Sequence, residues 1–235
     1  MAAEQFSTRP LVIGHRGVSS RRRENSLEAF ALAASDGPFR CDGVELDIHT
    51  TVDGQFVVIH DPSLPTGEAI ATHSAEALRR AEQHAGRHLP TLAEALEALG
   101  GLDAFIEIKA LPPRFDQTLL ALMRAAAGVR SHLHAFDHRI IARLHRLDPG
   151  LSLGVLSCSY PVDPAGQARD AGAELLWQES HLIDADLVAR CAADGIGVVA
   201  WTVDDPARAG QLAGFGVRGL CGDWPERLRP VTPEG

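Results

Sequence analysis

The chain has 235 residues, 45% hydrophobic and 23% charged, the make-up of an ordinary soluble globular protein at a length that one α/β barrel fills alone. Its formal net charge of -9 argues against a general nucleic-acid binder or a protein resting on an anionic membrane surface. An anionic substrate held by local positive charge or metal stays open.

Four cysteines (Cys41, Cys158, Cys191, Cys221) without a C-x-x-C spacing read as reduced core thiols. The opening M-A-A-E-Q-F-S-T-R-P lacks the apolar core of a signal peptide, and no run is long and apolar enough to span a bilayer. The expectation is a cytoplasmic protein with no stable membrane insertion, its oligomeric state left open.

The first apolar run, 11–13, ends on Gly14-His15-Arg16-Gly17. Asn25 with Glu28 three residues on resembles a capping pair, and Leu27, Phe30 and Ala31 have helical spacing, which predicts a helix over 26–35 stopped by Asp36-Gly37-Pro38. Next comes V-E-L-D-I-H-T-T-V-D-G-Q-F-V-V-I-H-D at 44–61. On a strand, Glu45 and Asp47 share one face, and Val44, Leu46 and Ile48 share the other. Asp53-Gly54 marks a tight turn, and 55–59 returns as a second extended run ending on His60. A short insertion over 62–89 has weak periodicity and one helix over 75–83. Pro90-Thr91 opens a helix striped by Leu92, Leu96 and Leu99 and stopped by Gly100-Gly101. The strand over 104–109 carries Glu107 and Lys109 on one face. Helices over 115–127, 139–147, 164–171, 185–193 and 206–212 then alternate with strands over 132–136, 151–156, 174–177, 196–202 and 217–221. Asp184 and Asp204-Asp205 read as caps, and 225–228 is a last turn.

About eight strand-then-helix units follow one another, with short apolar strands suited to burial on both faces. Such an order implies right-handed crossovers and a parallel sheet. In this length it favours a single (β/α)8 TIM barrel over an open doubly wound sheet, with a hairpin-like extension after strand 2 and a reduced insertion. No linker or low-complexity stretch divides the chain, so 1–235 reads as one domain.

A barrel of this kind keeps its site at the C-terminal ends of the strands. Strand 1 ends on His15-Arg16, strand 2 carries Glu45 and Asp47, and its extension ends on His60. Strand 3 carries Glu107 and Lys109, and strand 7 ends on Trp201, which joins Arg16 and Lys109 as a candidate substrate-binding residue. Acids buried without partners are costly, so a cation is expected between them. The carboxylates of Glu45, Asp47 and Glu107 are hard oxygen donors with no cysteine nearby, which favours Mg²⁺ or Ca²⁺, with Mn²⁺ also accommodated, over structural zinc. Histidines suit acid and base roles, and Arg16 and Lys109 suit phosphate oxygens. A metal, two cations and two histidines match phosphodiester cleavage.

Each piece has a plainer explanation alone. Glu45 and Asp47 fit an ion-pair network with Arg16 and Lys109, His15 a turn cap, and His60 an ordinary loop histidine. Trp201 and Trp224 fit packing, Arg21 to Arg23 a solvated run, and Glu24 and Asn25 a helix start. The other nine histidines, His134 among them, show no usable spacing. Co-location decides for a site, because seven polar residues fall on three adjacent strands.

These residues resemble the glycerophosphodiester phosphodiesterase family across nearly the whole chain. The matching pieces are G-H-R-G at 14–17, E-N-S-L-E-A-F at 24–30, V-E-L-D-I-H-T-T-V-D-G at 44–54, V-V-I-H-D at 57–61, P-T-L-A-E-A-L at 90–96 and I-E-I-K at 106–109. F-D at 136–137, A-W-T-V-D-D at 200–205 and G-V-R-G-L-C-G-D-W-P at 216–225 follow. The resemblance implies a divalent-metal-dependent TIM-barrel hydrolase that cleaves small-molecule glycerophosphodiesters to an alcohol and sn-glycerol 3-phosphate. It places the catalytic histidines on His15 and His60, the metal carboxylates on Glu45, Asp47 and Glu107, and phosphate contacts on Arg16 and Lys109. His60 is assigned as general acid and His15 as general base, with attack by a neighbouring substrate hydroxyl giving a cyclic phosphate that water then opens. The chain departs from the family pattern at Arg23, where a proline is usual, and in lacking an Arg-Thr-Thr stretch after His60. It departs again at Asp204 and at Gly222-Asp223-Trp224-Pro225. Two other readings compete. One is a phospholipase D-like lyase on lysophospholipids, favoured by a membrane-docking loop that the sequence does not display. The other is a catalytically silent barrel that binds phosphorylated ligands, which the complete histidine pair opposes.

Overall fold

The computed structural model describes residues 9–126 and 128–229. The leader reading of the first residues and the Ala127 end of one predicted helix lie outside them.

The strand β1 (Leu11–His15) leads to α1 (Leu27–Ala34), then β2 (Gly43–Thr50) and the returning β3 (Phe56–Val58). The insertion carries α2 (Ala75–His84), ahead of α3 (Leu92–Ala98), β4 (Asp103–Ala110) and α4 (Asp116–Ala125). Alternation continues through β5 (Ser131–Ala135), α5 (His138–Leu147), β6 (Ser152–Ser157), α6 (Gly166–Ala171), β7 (Leu175–Glu179) and α7 (Ala185–Ala193). It ends with β8 (Gly197–Trp201), α8 (Pro206–Phe215), β9 (Gly219–Gly222) and α9 (Pro225–Leu228). Strands run in the order β1-β9-β8-β7-β6-β5-β4-β2, and a β1–β2 pairing closes the ring as an eight-stranded parallel barrel. Outside it, β3 pairs antiparallel with β2, Ile48 opposite Val58. The fold is the expected (β/α)8 TIM barrel with a hairpin after its second strand.

Strand side chains alternate between faces. One parity fills the barrel: Ile13, Phe105, Leu156, Leu175, Trp177, Val199 and Cys221 form an interior cluster. The other meets the helices, with Val12, Val44, Leu46, Ile106, Leu133, Val155 and Leu220 in a larger core shared with Phe30, Leu92, Leu119, Ile141 and Leu187. Large residues inside need small neighbours. A Cβ on Gly43 would lie 2.6 Å from Cε2 of Phe105, so β2 leaves that space for the aromatic ring.

Helix starts follow their caps, with one correction. Asn25 is not the cap of α1: Ser26 is, accepting a hydrogen bond from the Ala29 amide at 3.2 Å. Asn25 sits at a φ of 54° and turns its side chain inward. Likewise Asp205 caps α8, whereas Asp204 accepts the Asp223 amide at 2.8 Å instead. The short insertion has its own apolar cluster of Val57, Leu64, Ile70, Ala75, Leu78 and Leu89, which anchors β3 and hence the segment carrying His60. Among the described residues no helix is long and apolar enough to cross a membrane.

Candidate active site

A parallel barrel gathers the C-terminal ends of its strands at one mouth. There His15, Arg16, Glu45, His60, Glu107, Lys109 and Trp201 line a cavity of about 110 Å³, together with His134, Phe136 and Trp177. Register sets the rows. His15 lies opposite Glu45 across β1 and β2, and Asp47, Glu107 and His134 are successive partners across β2, β4 and β5.

Asp47 is buried and its oxygens are engaged. Lys109 Nζ lies 2.9 Å from Oδ1 and Arg16 Nε 3.2 Å from Oδ2. Asn25 Nδ2 donates to Oδ2 at 2.8 Å, while Asn25 Oδ1 accepts the Asp47 amide at 3.2 Å. Burial alone would raise this carboxyl, but Lys109, Arg16 and Asn25 outweigh it and hold Asp47 below the usual range. These are the ion pairs that the plainer explanation expects of this acid. Glu24 is more than a helix start too, since its Oε2 pairs with Arg16 at 2.9 Å.

Glu45 has fewer partners. Its Oε2 accepts the Arg16 amide at 3.1 Å, and His15 Nε2 stands 4.0 Å away. Burial first, then the charges of Asp47 and Glu107, push its carboxyl well above the ordinary value. Glu107 is raised too, by burial first and then by the charge of Asp47, although Lys109 Nζ sits 2.6 Å from it. Three buried carboxylates thus face two cations, and a divalent cation fits that deficit.

His134, which sequence spacing passed over, belongs here. One ligand atom each from Glu45, Glu107 and His134 lie within 4.8 Å of one another. Both ring nitrogens of His134 are buried without a hydrogen-bond partner. Burial pushes its pKa down to about 3, so the ring is neutral. The ring stacks on Trp177 with centroids 4.1 Å apart and planes 4° from parallel. The overlooked signal was period two: H-L-H at 132–134 puts both histidines on the inner face of the strand beside Glu107.

The two candidate catalytic histidines share one feature. His15 Nδ1 lies 2.7 Å from Asp223 Oδ1, and His60 Nδ1 lies 2.8 Å from Asp61 Oδ1. Ionised carboxylates only accept hydrogen bonds, so each Nδ1 carries the proton and each Nε2 is left for a substrate. Ser19 Oγ also donates to Asp223 at 2.9 Å. Neither aspartate was legible as a partner from spacing alone. Trp201 meets Phe136 edge to face, centroids 5.7 Å apart, and Phe136 is 47% exposed. Trp224 lies outside the cavity lining and packs under Arg21 and Arg227. The arginine run is not simply solvated: Arg21 pairs with Glu226 and Arg23 with Glu82.

The family model described as Glycerophosphoryl diester phosphodiesterase family matches residues 15–227. A glycerophosphodiester phosphodiesterase of Caldanaerobacter subterraneus subsp. tengcongensis is 31% identical over 242 residues, covering 96% of this chain and 98% of that protein. A probable glycerophosphodiester phosphodiesterase 1 of Mycobacterium tuberculosis is 30% identical over 238 residues, covering 87% and 85%. Among solved structures, an Oleispira antarctica phosphodiesterase in complex with the product sn-glycerol-3-phosphate has the same fold, with a TM-score of 0.82 over 96% of this chain and 98% of that one at 22% identity. By sequence across nearly its whole length and by the barrel it forms, this chain belongs to the glycerophosphoryl diester phosphodiesterase family.

Proposed function

We propose that this chain is a single-domain, divalent-metal-dependent enzyme that hydrolyses glycerophosphodiesters to an alcohol and sn-glycerol 3-phosphate. The observation that carries the reading is the pair of carboxylate-held histidines, His15 and His60, on one cavity with Arg16, Lys109 and buried acids. Relatives named for this activity support it. All four cysteines are free, three of them buried and Cys158 exposed rather than in the core as expected, which suits a reducing compartment and so a cytoplasmic location.

Arg16 and Lys109 take the non-bridging phosphate oxygens, and the Trp201–Phe136 edge borders the headgroup side. Glu45, Asp47 and Glu107 would hold the cation, Mg²⁺ or Ca²⁺ with Mn²⁺ also accommodated, whose charge when bound offsets that on the phosphoryl group. His15 Nε2 takes the proton of the attacking substrate hydroxyl, while protonated His60 gives its proton to the departing alkoxide. The bond to the alcohol breaks as the cyclic phosphodiester forms. Water then opens the ring, with the proton roles reversed.

Exposed Tyr160 and Val162 follow β6 at the mouth end, Val162 being 94% exposed, and they favour a lysophospholipid lyase as the second reading. One assay separates the two. Purified protein is given glycerophosphocholine or lysophosphatidylcholine, with and without EDTA, and products are followed by phosphorus NMR. The leading reading expects glycerol 3-phosphate from the first, abolished by EDTA. Turnover that survives EDTA removes the metal, cyclic phosphate from the second substrate alone favours the lyase, and no turnover of either favours the silent barrel.

A further inference from the structure

We infer that His134 supplies a nitrogen ligand to the cation of this site and so tilts the chain's metal preference from Mg²⁺ and Ca²⁺ towards borderline first-row metals such as Co²⁺ and Zn²⁺. The inference rests on the metal reading above and adds a donor to its all-carboxylate set.

Three observations converge on His134. Its ligand atom and those of Glu45 and Glu107 lie within 4.8 Å of one another, close enough to meet on one ion. Lys109, Arg16 and Asn25 crowd the oxygens of Asp47, so the three-acid set has room for a further donor beside Glu45 and Glu107. His134 is 1% exposed, and neither ring nitrogen has a partner. A buried imidazole kept only for packing leaves two polar atoms unpaired, a cost that phenylalanine or leucine would avoid.

The ring is also aimed. His134 lies opposite Gly154 on β6. A Cβ there would stand 3.0 Å from Trp177 Cδ1 and 3.2 Å from His134 Cβ. The missing side chain lets the indole of β7 reach across and stack flat on the imidazole. Stacking fixes the ring plane as a hydrogen-bonded carboxylate does for other ligating histidines. A neutral imidazole is a poor ligand for Mg²⁺ or Ca²⁺ and a good one for later first-row ions.

The test uses the full chain stripped of metal and measures binding, not turnover. Co²⁺ and Mg²⁺ affinities are taken by calorimetry for the native protein and for His134→Phe, which keeps a ring on Trp177 without nitrogen. The expected result is a loss of about tenfold or more in Co²⁺ affinity with Mg²⁺ changed by less than about threefold. Equal losses for both ions, or none, would overturn the inference. Pulsed electron paramagnetic resonance of the Mn²⁺-loaded native protein gives a readout that needs no His134 variant to fold. Directly bound nitrogen should be seen, and should persist in His15→Ala and His60→Ala. Absence of nitrogen coupling with Mn²⁺ bound overturns the His134 inference alone. Failure of every divalent ion to bind overturns it together with the metal reading.

Discussion

His15 Nδ1 and Asp223 Oδ1 lie 2.7 Å apart although 208 positions separate the two residues in the chain. Barrel closure joins them: β9 pairs with β1, Gly14 opposite Gly222, so the residues that follow each strand meet. Burial would raise the Asp223 carboxyl, but hydrogen bonds from His15 and Ser19 hold it below the ordinary range. The carboxylate therefore fixes the tautomer that leaves His15 Nε2 free to accept a proton. Asp223→Asn, nearly isosteric, is expected to lower kcat roughly 10²-fold with KM little changed, because the amide no longer selects that tautomer. Steady-state kinetics on glycerophosphocholine check this. A normal kcat would detach Asp223 from catalysis.

Asn25 ties backbone shape to site charge. It occupies a left-handed φ of 54°, which asparagine tolerates better than most residues, and it bonds both the side chain and the amide of Asp47. Asn25→Ala loses two hydrogen bonds of about 1 kcal/mol each and adds about 1 kcal/mol of backbone strain. A destabilisation of about 2–3 kcal/mol in urea unfolding is expected, along with reduced kcat because Asp47 no longer anchors Arg16 and Lys109 in place.

Asp42 links stability to pH at the start of β1. Arg9 grips it with a two-nitrogen fork at 2.7 and 2.9 Å, and the Val12 amide donates to it at 2.8 Å. Burial raises the carboxyl, yet these donors overcome burial and depress it. A carboxyl with a lower pKa in the folded state stabilises the fold above its unfolded value of about 4, and that contribution is lost as pH falls through the folded value. Asp42→Asn should therefore be less stable than the native chain at pH 7, with the gap closing as pH drops below about 4. Urea midpoints at pH 7, 4 and 3 test the sign. A gap that widened on acidification would contradict it.

Packing inside the barrel is tested at Gly43. An added methyl would meet the Phe105 ring at 2.6 Å and the Asp103 carbonyl oxygen at 2.9 Å. Because one neighbour is backbone, it cannot simply rotate away. Gly43→Ala should cost about 1–3 kcal/mol by thermal or urea unfolding, in contrast to the ordinary helix-surface glycine, where alanine stabilises.

Local pattern carried most of the fold into view. Period-two alternation put Glu45, Asp47, Glu107 and Lys109 on one face, and those residues do meet at the barrel mouth. What stayed hidden depended on which strands become neighbours. Asp223 sits in a stretch noticed only as a departure from a family pattern, and its contact with His15 exists only once β9 closes on β1. His134 was hidden differently. Its alternation with His132 was visible, but its meaning required β5 to stand beside β4 in a register that sets it opposite Glu107. Asn25 was misread because a capping residue and a site residue stand side by side. Asn-Ser offers two good caps, and Ser26 takes that role once Asp47 engages its neighbour. Asp61 was adjacent to His60 in the chain, yet only the side-chain geometry reveals the pairing.

The most direct test of the account is a crystal structure with Mn²⁺ and sn-glycerol 3-phosphate, with the metal located by anomalous scattering. The account predicts one anomalous peak between Glu45 and Glu107, the phosphate against Arg16 and Lys109, and Nε2 of both His15 and His60 turned to that phosphate. A peak elsewhere, no peak with the phosphate seated, or imidazoles facing away from the phosphorus would contradict it.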